Sequence, residues 1–301
     1  MLELIVYGII LGSVIALGAL GITLISRVAN MSNFAHGDFM TVGAYVAFVV
    51  YGTLLAPVGA LQQKIGPLSF GLGLLLAFVP ATLVVAGLAI FLDQRVYRPL
   101  RARRATPILL AMVSMGIAFA VRGVIYIIWG ADFHFYSSGI RRMIFLPVGI
   151  KIRPDEIFIM VVVWGLVALT YLFLGRTRTG KALRAVADNP DLARVAGIST
   201  ERMIVWAWGI SGGLAAIAGI LYGVETQLRP EMGWGFLLPL FAAVTLGGIG
   251  SMEGALVGAL VMGIAQQVST AFLLPTYKPA VAFIIMVLVL LVKPEGIFGR
   301  R

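Results

Sequence analysis

The chain contains no cysteine, two histidines (His36 and His134) and little charge. The missing cysteines exclude disulfides, Cys-ligated zinc and thiol catalysis, and they leave the compartment open. Two histidines so far apart cannot form a His-Glu-x-x-His zinc motif. Charged residues occupy 12% of 301 positions, against about 25% in a typical soluble domain. Asp and Glu together number 13, and none falls in the middle third of a long apolar run. Ion-coupled carriers usually hold an acid there, which counts against a stand-alone secondary carrier or channel. No nucleophile and base stand out that would make an intramembrane enzyme.

What is present is hydrocarbon. Hydrophobic residues reach 60%, and there are 36 glycines, a residue more frequent in membrane helices than in soluble ones. A soluble protein this apolar would lack the polar surface to cover itself. A bilayer core of about 30 Å needs roughly 20 apolar residues per helix. Candidate spans fall at 4–26, 38–56, 71–92, 107–129, 156–174, 203–224, 236–250, 254–274 and 279–292. The expected fold is an all-α polytopic membrane protein with about eight or nine transmembrane helices. The run 236–250 is short and ends in Gly247-Gly248-Ile249-Gly250, so it also reads as a re-entrant half-helix. The first run lacks a basic flank and exceeds the roughly 7–15 residues of a signal-peptide core, which predicts a retained span. The expected organisation is one transmembrane domain over 1–301, with the cytoplasmic loop 175–202 inside it.

A net charge of +10 would suggest nucleic acid in a soluble protein. Here the basic residues sit in short connections, as topology determinants do. Arg27, the loop 93–106, the loop 175–202 and the tail from Lys293 fall on one side and hold 15 of the 23 Lys and Arg. The other side holds Lys64, Arg141, Arg142, Lys151, Arg153, Arg229 and Lys278, and Arg122 lies within a span. The first side is then cytoplasmic, the N-terminus outside and the C-terminus inside.

Gly175-Arg176-Thr177-Arg178-Thr179-Gly180-Lys181 imitates a Walker A loop. Ala182 follows where a magnesium-binding Ser or Thr is required, and a membrane span precedes it, so any ATP must be bound by another subunit. The same loop has a second reading. Ala182, Ala185, Val186 and Asn189 fall at helical spacing. Asp188 and Asn189 can end one helix, and Pro190 suits the first turn of the next. Two such helices dock into a partner or rest on lipid headgroups.

Ionisable groups at membrane depth are expensive and often functional. The candidates are Asn33, His36 and Asp38 at the start of the second span, Arg122 within the fourth, Glu225 after the sixth, and Ser251 and Glu253 near the end. Each also has a structural reading: His36 and Asp38 as helix caps, Arg122 snorkelling outward, the glutamates as interfacial charges. Residues 33–44 and 247–259 share a broken, Gly-rich texture before an apolar run, as an internal duplication would leave.

Three stretches resemble the branched-chain amino-acid ABC transporter permeases of the LivH type. They are Arg27 to Tyr45, with Asn33-Phe34-Ala35-His36-Gly37-Asp38 at its centre, Thr179 to Ile198, and Ala243 to Ser251 with Gly254-Ala255 and Gly258 following. The resemblance covers nearly the whole chain. It implies a non-enzymatic import subunit in a bacterial inner membrane that binds no cofactor itself. ATP and magnesium would be used by two ATPase subunits, beside a sister permease of the LivM type and a periplasmic solute-binding protein. It implies alternating access for an apolar amino acid, with urea or short amides as alternative substrates. It also implies an ATPase-docking loop drawn from Arg184, Asp188, Asp191, Ala193 and Gly197. Asp191-Leu192-Ala193 and Gly197 keep the spacing of the family's Glu-Ala-Ala docking motif but change its first two residues.

Overall fold

The structure is a computed structural model that describes residues 1–137, 143–145 and 149–299. Arg141, Arg142, Arg300 and Arg301, part of the charge balance above, lie outside the described residues. The architecture is carried by α1 (Leu2–Val28), α2 (His36–Val49), α3 (Leu72–Leu92), α4 (Pro107–Trp129), α5 (Pro154–Arg176), α6 (Arg178–Asp188), α7 (Pro190–Val195), α8 (Thr200–Glu225), α9 (Met232–Gly247), α10 (Met252–Ser269) and α11 (Lys278–Val292). Every candidate span contains one long helix. Among the described residues, seven helices are long and apolar enough to cross a membrane, and α9 is a shorter apolar helix. Hydrocarbon offers no partner to a backbone N–H or C=O, so an apolar run must satisfy its own hydrogen bonds as a helix, and Pro80 and Pro239 are accommodated inside α3 and α9.

Three local departures separate the structure from the reading by hydropathy. The stretch 93–106 is not a plain loop: α3 continues through a π-helical turn, Asp93–Tyr97, into a further helix, Arg98–Ala102. Arg101 reaches back to the buried Asp93 at 2.7 Å, and Arg98 reaches Glu201 at 3.2 Å. Those partners offset the charge that makes the stretch look like a loop. The connection 130–155 carries a small antiparallel ladder, Ile144–Phe145 against Lys151–Ile152, a departure from the all-α expectation. The run 254–274 is helical only to Ser269.

The centre is α1 and α8. Nearly every residue of α1 from Gly12 to Ile25 is buried. α1 packs along α10, and α8 along α3. Lipid tails are as apolar as leucine, so helices here associate through close packing of small residues rather than through the hydrophobic effect. On α10, a Cβ at Gly263 would lie 2.3 Å from the Gly12 nitrogen, so only glycine permits that crossing. The outer helices show the opposite pattern, with Leu83 of α3, Ile127 of α4, Val161 of α5 and Leu291 of α11 exposed.

Two helices begin inside the bundle. After α1 the chain turns back, and the His36 ring at the start of α2 fills the space a side chain at Gly21 would take. The Phe34 N–H donates to the Ser114 hydroxyl at 2.9 Å, seven residues into α4. α9 starts beside it: a Cβ on Gly233 would sit 1.8 Å from the Gly37 carbonyl oxygen, and the Gly233 N–H donates to Thr41 Oγ1 at 3.1 Å. From this shared point α2 runs toward Trp129 and His134, and α9 runs the other way to Gly247, against Gly254. The two stretches of shared texture, 33–44 and 247–259, take different forms: the first holds the buried start of α2, the second the turn between α9 and α10. Residues 248–251 turn the chain between α9 and α10, and Gly247, Gly254 and Gly258 let the two helices pack closely beside that turn.

Candidate translocation and coupling sites

The loop 175–202 is two consecutive capped helices. Thr177 opens α6 by accepting from the Gly180 N–H at 2.9 Å. Leu183 and Val186 are buried. Asp188 pairs with Arg27 at 2.6 Å and ties the end of α6 to the end of α1. Asn189 caps α7, its Oδ1 accepting from Asp191 N–H at 3.1 Å and Leu192 N–H at 2.9 Å; such a cap is worth about 1 kcal/mol. Gly197 closes α7 at φ +80°, a conformation glycine adopts without a Cβ penalty, and Ile198 N–H donates to Ala193 C=O at 2.9 Å.

These contacts sort the docking candidates. Arg184, Asp191 and Gly197 lie on the surface; Asp191 is ion-paired to Arg194 at 3.1 Å, and Arg184 reaches Gly175 C=O at 3.4 Å. Asp188 is exposed but engaged with Arg27. Ala193 is buried against the bundle, so its role is to seat α7. The apolar side chains α7 presents outward are Leu192 and Val195, 66% and 86% exposed. Sequence reading missed them, although two apolar residues three apart in a polar loop are the available signal.

The pathway candidates separate into three places. Asn33, His36 and Asp38 are fully buried within the bundle, not at its edge. Asn33 Oδ1 accepts from the Ala35 N–H at 3.1 Å. Asp38 is no helix cap, and Arg122 does not snorkel outward. The Arg122 guanidinium donates to both Asp38 oxygens, from Nε at 3.0 Å and Nη2 at 3.1 Å. The Trp234 ring lies 4.4 Å from the same guanidinium, so α2, α4 and α9 meet on one cation.

Glu225, the last residue of α8, stands at one end of the bundle. Arg153 bridges it at 2.5 Å and Glu156 at 2.6 Å. This cluster edges a cavity of about 720 Å³ between α1, α8, α9 and the start of α11, walled by Ile10, Leu11, Val14 and Phe236, with Arg229 and Lys278 also lining it. Ser251 and Glu253 lie at the opposite end. The Ser251 hydroxyl caps α10 by accepting from Gly254 N–H at 3.0 Å, and Glu253 is exposed in the first turn of that helix, where an acid suits the helix dipole.

Another sequence feature was overlooked. Gly209-Ile210-Ser211-Gly212-Gly213 has the spacing of a hydrolase nucleophile elbow. Ser211, however, is in mid-helix, and its hydroxyl donates to Gly21 C=O at 2.8 Å. It holds α8 against α1.

A family model described as branched-chain amino acid transport system / permease component matches residues 4–290. The chain belongs to this family. The family's members are transport permeases, and with its apolar helices this permease is a multi-pass membrane protein. It is 32% identical to the high-affinity branched-chain amino acid transport system permease protein LivH of Escherichia coli K12, over 97% of the chain and 94% of the relative. It is also 32% identical to the permease protein BraD of Pseudomonas aeruginosa, over 99% and 96%. Among solved structures, PsaBC from Streptococcus pneumoniae in complex with Fab aligns over 98% of this chain and 92% of that one, with a TM-score of 0.49 and 13% identity. That likeness is too remote to transfer residue roles.

Proposed function

We propose that this permease is one half of the translocation pathway of an ATP-driven importer for branched-chain or closely related apolar amino acids, in a bacterial cytoplasmic membrane. Its partners are a sister permease, two ATPase subunits that use ATP and magnesium, and a periplasmic solute-binding protein. No nucleic acid and no cofactor of its own enter the reading. The observation that carries it is α7: a capped helix that offers Leu192 and Val195 to a partner while Asp188 and Arg27 tie its base to α1. Closure of an ATPase dimer would push α7, and the push would pass into α1 and α8, the two central helices. That is the coupling alternating access needs.

About eight or nine passages, with the N-terminus outside and the C-terminus inside, belong to this reading, and the ends that share contacts support it. Arg27 with Asp188, Arg101 with Asp93 and Ile297 with Leu246 fall at the basic end. Tyr7 with Lys151, Arg153 with Glu225 and Gln266 with Lys278 fall at the other. The test is uptake of labelled leucine by proteoliposomes holding the permeases and ATPases, with lumenal ATP and the binding protein outside. Uptake should need every component, and Gly197→Arg should leave ATP hydrolysis running while uptake stops. ATP-independent uptake by this chain alone would overturn the reading in favour of a secondary carrier.

A further inference from the structure

We propose that the cavity between α1, α8, α9 and α11 is an amino-acid subsite in which Arg229 receives the substrate α-carboxylate and Ile10, Val14 and Phe236 receive its apolar side chain. The inference rests on the transport function proposed above and deepens it. The cavity holds about 720 Å³, room for an amino acid with some of its water. Its wall divides by chemistry. Ile10, Leu11 and Val14 project from one face of α1, and Phe236 and Pro239 from α9. Arg153, Glu156, Glu225, Arg229 and Lys278 line the cavity as well.

Those charges are not equivalent. Arg153 is committed to Glu156 and Glu225. The Lys278 ammonium donates to Gln267 Oε1 at 2.7 Å. Arg229 lines the same cavity, yet among the described residues its guanidinium makes no ion pair and no hydrogen bond. A guanidinium presents a planar fork of donors that matches a carboxylate. One without an ion pair among the described residues, in a cavity that also has an apolar wall, is placed to bind an acid with a hydrocarbon tail. The site therefore selects a zwitterion by its carboxylate and tolerates any apolar side chain that fits the α1–α9 wall.

The experiment uses the assembled transporter in nanodiscs without binding protein. Equilibrium binding of labelled leucine is measured, with isoamylamine (leucine without its carboxylate) as competitor. Wild type should prefer leucine to isoamylamine. Arg229→Met should bind leucine about tenfold to a hundredfold more weakly, the loss of a charge-assisted bidentate pair, and the preference should collapse toward unity. Arg229→Lys should keep part of it. An unchanged melting temperature guards against misfolding. The proposal is overturned if Arg229→Met binds leucine as wild type does, or if it weakens leucine and isoamylamine equally. Leucine uptake by the wild-type complex separates the two failures. Uptake without Arg229-dependent binding sinks the subsite alone, whereas a complex that moves no branched-chain amino acid sinks the function on which it rests.

Discussion

Asp38→Asn tests the interior of the bundle most directly. Asp38 is fully buried, Arg122 is 12% exposed, and both carboxylate oxygens are engaged at 3.0 and 3.1 Å. Deleting one partner of a buried pair leaves an uncompensated charge and costs about 3–5 kcal/mol. The Trp234 face at 4.4 Å stays over the guanidinium and retains about 1 kcal/mol of attraction, so the expected loss is about 3 kcal/mol. Replacing both partners by apolar residues of similar size removes the charge instead of stranding it, and is often neutral. Asp38→Leu with Arg122→Met should therefore be more stable than either single variant. Reversible unfolding in mixed micelles, read as a double-mutant cycle, gives the coupling directly. A coupling near zero, with singles within about 0.5 kcal/mol of wild type, would refute the reasoning and mean that water already solvates both groups. Uptake by the double variant then reads the role: a lock between α2 and α4 survives the replacement, whereas a gate in the pathway does not.

The remaining predictions concern packing and coupling. Gly233→Ala should block assembly of the α2–α9 contact, because its Cβ would lie 1.8 Å from the Gly37 carbonyl oxygen; at Gly87, exposed on α3, a Cβ meets nothing within 4 Å, so Gly87→Ala should express and transport normally. Yield of monodisperse protein compares the two. Val195→Glu puts a charge on the exposed face of α7 and should release the ATPase subunits on co-purification while leaving the chain inserted. Asn189→Ala removes the α7 cap and should lower stability by about 1 kcal/mol; faster hydrogen exchange confined to 190–198 would report it, and unchanged exchange there would count against the cap.

Several features were legible before any coordinates. Apolar runs long enough to cross a bilayer can only be helices, so the helix set followed from hydropathy. Turn chemistry at Asp188-Asn189-Pro190 marked the break between α6 and α7, because capping is local. Arg122 and Asp38 were flagged by their cost at depth. That they pair was not visible, since nothing in a sequence measures the distance between positions 84 residues apart. Leu192 and Val195 were passed over because apolar residues draw no notice in a chain this apolar. Arg95, Arg98 and Arg101 were assigned to a loop because charge was taken to end the helix, whereas Asp93 and Glu201 stand ready to pair with it.

The sequence by itself determined the solvent of this protein, the helical state of its backbone and the break between α6 and α7. Each follows from local composition and the absence of water in hydrocarbon. Only the tertiary structure decided that α2 and α9 begin inside the bundle and run apart from one contact. Hydropathy reports whether a segment can lie in a membrane, not the depth at which it starts. That depth was set by Gly37 and Gly233, where two backbones meet more closely than any side chain would allow.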